Sequence, residues 1–280
     1  MEEIHTDFCI IGSGAAGIFA AKKLVENKKK ILIFDIGGEI HQNDNDLNLN
    51  FKSTGRKKYE GSSLGRSFGI GGTTYLWGAS ILPFTYSDFD KKDTYSSGFA
   101  DIENIFKKFN HKRLISELIG QNSDNFEDIF EFWRNNNQYN ENNFYETKNL
   151  YIPFKRRDFS KSLINNNFKI NTFHKFERFK LKKSNLNNIN LISKAIFLNL
   201  KTNKYISVSA ENFMLCTGTL ESTFHISNLI RNNKLLFDNK KFLFTKNKFY
   251  FNDHLSTPVI KILKKGKQKI TNVISRKINN

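Results

Sequence analysis

Cysteine is scarce in this sequence. There are two, Cys9 and Cys216, each in an apolar run that reads as a buried strand. That usage excludes a disulfide framework and offers no metal-ligand cluster, so reduced core thiols and no metal are expected. Long apolar runs are missing as well. None approaches the ~18 residues that a membrane span needs. The opening "MEEIHTDFCIIG" is acidic and enters a strand directly, unlike a signal peptide, so a soluble, cytoplasmic chain is expected. No internal repeat is found. Acidic residues are few, with 27 Asp and Glu against 44 Lys and Arg, for a formal net charge of +17. The lysines are scattered, and no RNA- or DNA-binding motif accompanies them, so a nucleic-acid partner is not expected. Heavy use of Lys, Asn, Ile and Phe throughout accounts for the charge, and a general attraction for anions follows from it.

What is present points to a folded chain. Aromatic residues make up 14% of the 280, mostly through 28 Phe, which argues against disorder throughout. The length allows one large domain or two smaller ones. "TDFCII" (6–11) has the length and character of a buried parallel strand. A glycine-rich turn follows, and then apolar residues at helical spacing across 15–26: Ile18, Ala21, Leu24 and Val25. "ILIFD" (31–35) reads as a second buried strand that ends in an acid. Residues 6–35 thus predict a βαβ unit of the usual ~30 residues.

Further along, 37–60 reads as a polar loop, and 61–79 is dense in glycine. Helices are expected over 101–118 and 123–136, and an exposed Asn-rich stretch over 137–149. Short strands recur at 168–173, 176–181, 189–200 and 205–215, which predicts a small antiparallel meander. "NFMLCTG" (212–218) is again an apolar strand that ends at a glycine. A helix is expected over 219–230. The fold class is therefore α/β.

Three segments carry chemistry. Gly12-Ser13-Gly14-Ala15-Ala16-Gly17 fits G-x-G-x-x-G. In that motif the first glycine makes the tight turn, the second lets backbone approach a pyrophosphate, and the third lets helix and strand pack closely. The helix start, Ala15 and Ala16 included, offers free N–H groups and a positive dipole end to phosphates. Asp35, at the end of the second strand, can accept from a ribose 2′-hydroxyl and would repel a 2′-phosphate. The unit alone leaves FAD and NAD open. The second segment is Gly71-Gly72-Thr73-Thr74 followed by Trp77-Gly78, whose small and hydroxyl side chains suit a backbone laid against a phosphate or a ring. Its plainer account is a packed loop crossing the sheet. The third, Cys216-Thr217-Gly218, is a strand that enters a helix through a glycine. An ordinary strand–helix connection would look the same.

Together these segments resemble the glucose-methanol-choline (GMC) oxidoreductases, which are FAD enzymes. "DFCIIGSGAAGIFAAKKL" resembles the family's opening fingerprint, and "GIGGTTYLWGASILPF" (69–84) its G-G-[ST]-[ST] signature. "NFMLCTGTLESTFHISNLI" (212–230) resembles the second signature, and "FNDHLS" (251–256) a segment that follows it. The resemblance implies that Gly12, Gly14 and Gly17 hold the FAD pyrophosphate and that Asp35 binds the adenosine ribose. It implies that Gly72, Thr73 and Thr74 line pyrophosphate and flavin, with Trp77 and Gly78 near the isoalloxazine. Phe176 would meet adenine through its backbone, and Thr217 and Gly218 would close the site.

The resemblance also implies a domain plan. A Rossmann-like FAD-binding domain would span 1–230, with a helical insertion at about 95–150 and the meander at about 168–210. Residues 231–280 would begin a substrate-binding region. The implied activity is oxidation of CH–OH in an alcohol or sugar-like substrate. The family's catalytic histidine lies well beyond the segment that His254 matches, and the chain ends at Asn280. His5, His41, His111, His174 and His225 stand in no comparable context, so no catalytic residue is assigned. The expectation is a truncated form, or a half-enzyme completed by a second polypeptide. Another FAD or NAD oxidoreductase is the alternative.

Overall fold

The computed structural model describes residues 2–49, 65–81, 108, 150–152, 157–160, 169–183 and 190–232. The expected helices at 101–118 and 123–136, the Asn-rich stretch 137–149, and the segment with His254 lie outside the described residues. The chain divides into two compact units. One is Met1–Ala79 with Ile152–Phe242, and the other is Ser80–Tyr151 with Leu243–Asn280. In the second, β3 (Ser80–Ile81) pairs antiparallel with β4 (Leu150–Tyr151).

The first unit is built on β1 (Glu2–Ile11), α1 (Ala15–Glu26) and β2 (Ile31–Phe34). β1 and β2 run parallel, with Cys9 opposite Leu32 and Ile11 opposite Phe34. β5 (Ile170–Asn171), β6 (His174–Lys183), β7 (Asn190–Asn199) and β8 (Lys204–Leu215) complete the sheet. Among the described residues its order is β5-β2-β1-β8-β7-β6. The chain then enters α2 (Gly218–Asn232).

Two expectations are corrected here. The expected antiparallel meander is present in β6, β7 and β8, but its strand bounds and its first strand differ from the expectation. β6, β7 and β8 are antiparallel neighbours, but β8 also runs parallel to β1 from Glu2/Ile206 to Ile11/Leu215. One twelve-residue strand therefore covers both 205–215 and the strand part of 212–218, and it joins the two halves of one sheet. The first expected strand also belongs elsewhere. Ile170 and Asn171 pair parallel with Ile33 and Phe34. A turn through Phe173, at φ 58°, separates them from β6. The helix and both βαβ strands fall where the pattern put them, except that β1 starts four residues earlier.

The central strands are buried on both faces, so their side chains feed two cores. Cys9, Ile11, Phe34, Phe176, Phe197 and Val208 form one cluster. Ile10, Ala21 and Ile33 form the other, with Leu24 of α1 against them. Alternation along β1 sends Cys9 and Ile11 one way and Ile10 the other. Ile10, Phe34 and Phe197 are each at most 1% exposed, and burial of such a side chain stabilises by about 1.5–3 kcal/mol. Among the described residues no helix is long and apolar enough to cross a membrane.

Candidate functional site

β1 ends in a turn that only glycine can make. The backbone at Gly12 has φ 99°, and a Cβ there would overlap the carbonyl oxygen of Cys216. Two hydrogen bonds fix the turn against its neighbours: Gly12 N–H donates to Phe34 O at 2.8 Å, and Cys216 N–H to Ile11 O at 2.7 Å. Gly17 packs the helix down, since a Cβ there would overlap the carbonyl oxygen of Gly12. Gly14 differs from both. It is the N-cap of α1, and a Cβ built on it meets none of the described residues within 4 Å. No side chain caps this helix end, and its first turn carries no acid. The first N–H groups of a helix have no partner inside it. Here they belong to half-buried Ala15, exposed Ala16 and buried Gly17, at the positive end of the helix dipole.

Asp35 follows β2 and is 7% exposed. Its Oδ2 accepts from both Ser13 N–H and Ser13 Oγ at 2.7 Å, and its Oδ1 accepts from Gly37 N–H at 2.8 Å. Burial pushes this carboxyl above its ordinary range, and the three donors pull the other way. The carboxylate thus ties β2 to the glycine turn. Oδ1, with a single partner, keeps acceptor capacity for a further donor. Ser13 is fully buried and was not singled out in the sequence, where it stands only as a variable position of the motif.

The second glycine segment lies on the first. Gly71 N–H donates to Ser13 O at 2.9 Å, and a Cβ on Gly72 would sit 3.0 Å from Gly14 Cα. A short 3-10 turn, Gly72–Tyr75, follows. Its two threonines divide. Thr74 is buried, donates to Gly71 O at 2.6 Å and accepts from Phe159 N–H at 3.1 Å. Thr73 is exposed, as is Gly78. Trp77 donates through Nε1 to Arg157 O at 2.7 Å and meets Phe159 edge-on.

The third segment closes on the same turn through the Cys216 carbonyl. Thr217 Oγ1 is 3.0 Å from Ser222 Oγ, and Gly218, at φ 77°, opens α2 with free space around its Cα. Phe176 lies further off in the core. Its ring contacts Phe179, Phe197 and His225. Burial lowers the affinity of His225 for a proton, against the pull of Glu221 and Glu177. Cys9 is inert for a similar reason, its thiol pushed up to about 12 by burial.

Arg66 is a second residue that sequence reasoning missed. It donates to Asp44 Oδ1 at 2.6 Å and Glu221 Oε1 at 2.8 Å. It thereby links the 41–49 loop, the approach to Gly71 and the first turn of α2. Its only sequence signal is a lone positive charge inside the glycine-dense stretch.

No family model matches the chain, and no curated protein does. Among solved structures it is similar to pyridoxine 4-oxidase from Mesorbium loti, at 16% identity and a TM-score of 0.43, over 78% of this chain and 50% of that one. It is also similar to formate oxidase, at 16% identity and a TM-score of 0.47, over 81% of this chain and 48% of that one. The chain therefore spans about half the length of each. Likeness at this level assigns no residue a role.

Proposed function

We propose that this chain binds FAD at the meeting point of its three glycine segments, and that it is the FAD-binding part of a GMC-type oxidoreductase. One observation carries the reading. The Gly71–Gly72 and Cys216–Thr217 backbones pack directly on the Gly12–Gly14 turn, yet the space where a Cβ of Gly14 would lie stays clear of the described residues. That is a cradle for a dianionic linker, which a Cβ on Gly14 would fill.

In this reading Gly12, Gly14, Ala15, Ala16 and Gly17 hold the pyrophosphate. The free acceptor capacity of Asp35 Oδ1 takes a ribose hydroxyl, while Ser13 and Gly37 keep the carboxylate in place. Gly71, Gly72 and exposed Thr73 continue the backbone wall toward Trp77 and Gly78. Thr74, committed to Gly71 and Phe159, shapes that wall from inside. Phe176 would meet adenine through its backbone, and Thr217 with Gly218 would border the site. This fold plan is Rossmann-like, with β1-α1-β2 as its nucleotide-binding unit. Bound FAD supplies a hydride acceptor. The substrate class is then an alcohol or sugar-like CH–OH, and among the described residues we assign no catalytic base. A second polypeptide that supplies the substrate half fits the same plan.

The test is a titration of the purified full chain with FAD, NAD and NADP, followed by visible absorption, flavin fluorescence and calorimetry. Binding of FAD and rejection of NADP is the expected pattern, because Asp35 sets a buried carboxylate where a 2′-phosphate would come. Preferred binding of NADP would contradict the assignment.

A further inference from the structure

His41 holds a buried polar atom that the FAD reading does not use. Its ring bonds to one side chain just before the second glycine loop and stacks on another just after it. Nδ1 lies 2.8 Å from Ser67 Oγ, just before the loop. His41 lies beside the loop at Gly69, where an added Cβ would sit 3.3 Å from Nδ1 and 3.4 Å from His41 Cα. Beyond the loop the imidazole stacks on Tyr75, with centroids 4.2 Å apart and planes 15° from parallel. Nε2 is buried and meets no hydrogen-bond partner among the described residues.

We propose that His41 is a positioning residue for the loop Gly69–Thr74. It clamps the loop onto the Gly12–Gly14 turn while its ring is neutral and releases it when the ring is protonated. The cofactor consequence rests on the FAD reading, whereas the clamp itself does not.

The chemistry follows from the surroundings. A neutral ring leaves only an unbonded nitrogen at Nε2. A protonated ring would hold a charge there and, at each nitrogen, an N–H, of which the one at Nε2 would meet no acceptor among the described residues. The charges that act on the ring are Asp158, on the 157–160 segment, and Asp35, after β2. Both carboxylates have other donors: Asp158 accepts from Ser160 N–H at 3.0 Å, and Asp35 from Ser13 and Gly37. Arg66, beside Ser67, is paired with Asp44 and Glu221. On the 3-10 turn the titratable group is the Tyr75 hydroxyl. Burial outweighs the two carboxylates and makes the folded ring a weaker base than a free histidine. The unfolded chain then takes up the proton first. The clamp is at full strength above the ordinary histidine range, near pH ~6.5, and weakens as pH falls below it.

The loop reports its own state through three amides. Gly71 donates to Ser13 O, Gly72 to Gly69 O and Thr74 to Gly71 O. Hydrogen exchange of these amides, corrected for intrinsic rates, is measured on the full chain between pH 8 and pH 5.5, with His41→Gln alongside. The wild type should lose protection severalfold on acidification, and H41Q should show no such step. FAD affinity should follow the same pair of profiles. An equal acid loss in H41Q overturns the proposal, as does unchanged wild-type protection. If neither chain binds FAD at any pH, the FAD reading fails while the exchange profile still decides the clamp. If H41Q does not fold, the titration of the His41 ring by NMR in the wild type decides. A ring midpoint that departs from the midpoint of exchange overturns the proposal.

Discussion

Removal of one hydroxyl tests how the glycine turn is held. Ser13→Ala deletes the Oγ donor 2.7 Å from Asp35 Oδ2 and leaves the Ser13 and Gly37 N–H groups on the carboxylate. Ser13 is fully buried and Asp35 nearly so, so water cannot replace the lost donor without the turn opening. A hydrogen bond to a buried charged group is worth about 1.5–3 kcal/mol, and ~2 kcal/mol is the expected loss at pH 7.5. The pH dependence sharpens the test. Burial raises the folded Asp35 above the ordinary aspartate range, so the folded chain binds this proton more tightly than the unfolded one. The contribution of Asp35 is therefore greatest in acid and falls as pH rises through the folded value. The Ser13 hydroxyl matters most once the carboxylate has ionised. The difference between wild type and S13A should thus widen from pH 4 to pH 7.5. Urea unfolding across that range, followed by intrinsic fluorescence and far-UV dichroism, measures it. A difference below about 0.5 kcal/mol at pH 7.5, or one that does not change with pH, would refute the account of the turn.

Other outcomes are expected from the same geometry. Gly12→Ala should destabilise by about 1–3 kcal/mol through backbone strain, plus the displacement of the Cys216 carbonyl. Gly218→Ala, strained at φ 77° but with open space around it, should cost less in the same unfolding assay. Equal losses would contradict the packing of Cys216 on Gly12. Phe197→Ala removes a fully buried ring stacked on Phe34 at 4.2 Å, and calorimetry should show a loss of about 3–5 kcal/mol.

The sequence revealed most where the signal is local. The glycine turn, α1 and β2 depend on neighbours in the chain, and the pattern from Cys9 to Asp35 placed them closely. The early start of β1 was hidden because Glu2, Glu3 and His5 are polar. Their reason to be extended lies far away, in β8, which pairs with them, and in β7 beyond it: Glu3 meets Lys194 of β7 and Ser209 of β8. The double duty of β8 was equally invisible, because alternation says that a strand has neighbours but not which ones. Ser13 fills only a variable position of a spacing motif, and Arg66 and His41 belong to none. Each matters through partners 22, 155 and 26 residues away: Asp35, Glu221 and Ser67. The three glycine segments stood out by composition, yet only the fold put them on one turn. For Asp35, an acid in the expected place emerged with its carboxylate already engaged by the turn.

The central claim is that the open side of Gly14 receives the FAD pyrophosphate. Gly14→Val places a branched side chain in this space at small cost to the fold, because its Cβ meets none of the described residues within 4 Å and the loss of a glycine N-cap costs no more than about 1 kcal/mol. The deciding measurement is the FAD affinity of wild type and G14V at pH 8, with far-UV dichroism to confirm the same fold. The account predicts that the wild type binds and that G14V does not. A wild type that binds no FAD, or a folded G14V that binds it equally well, would contradict it.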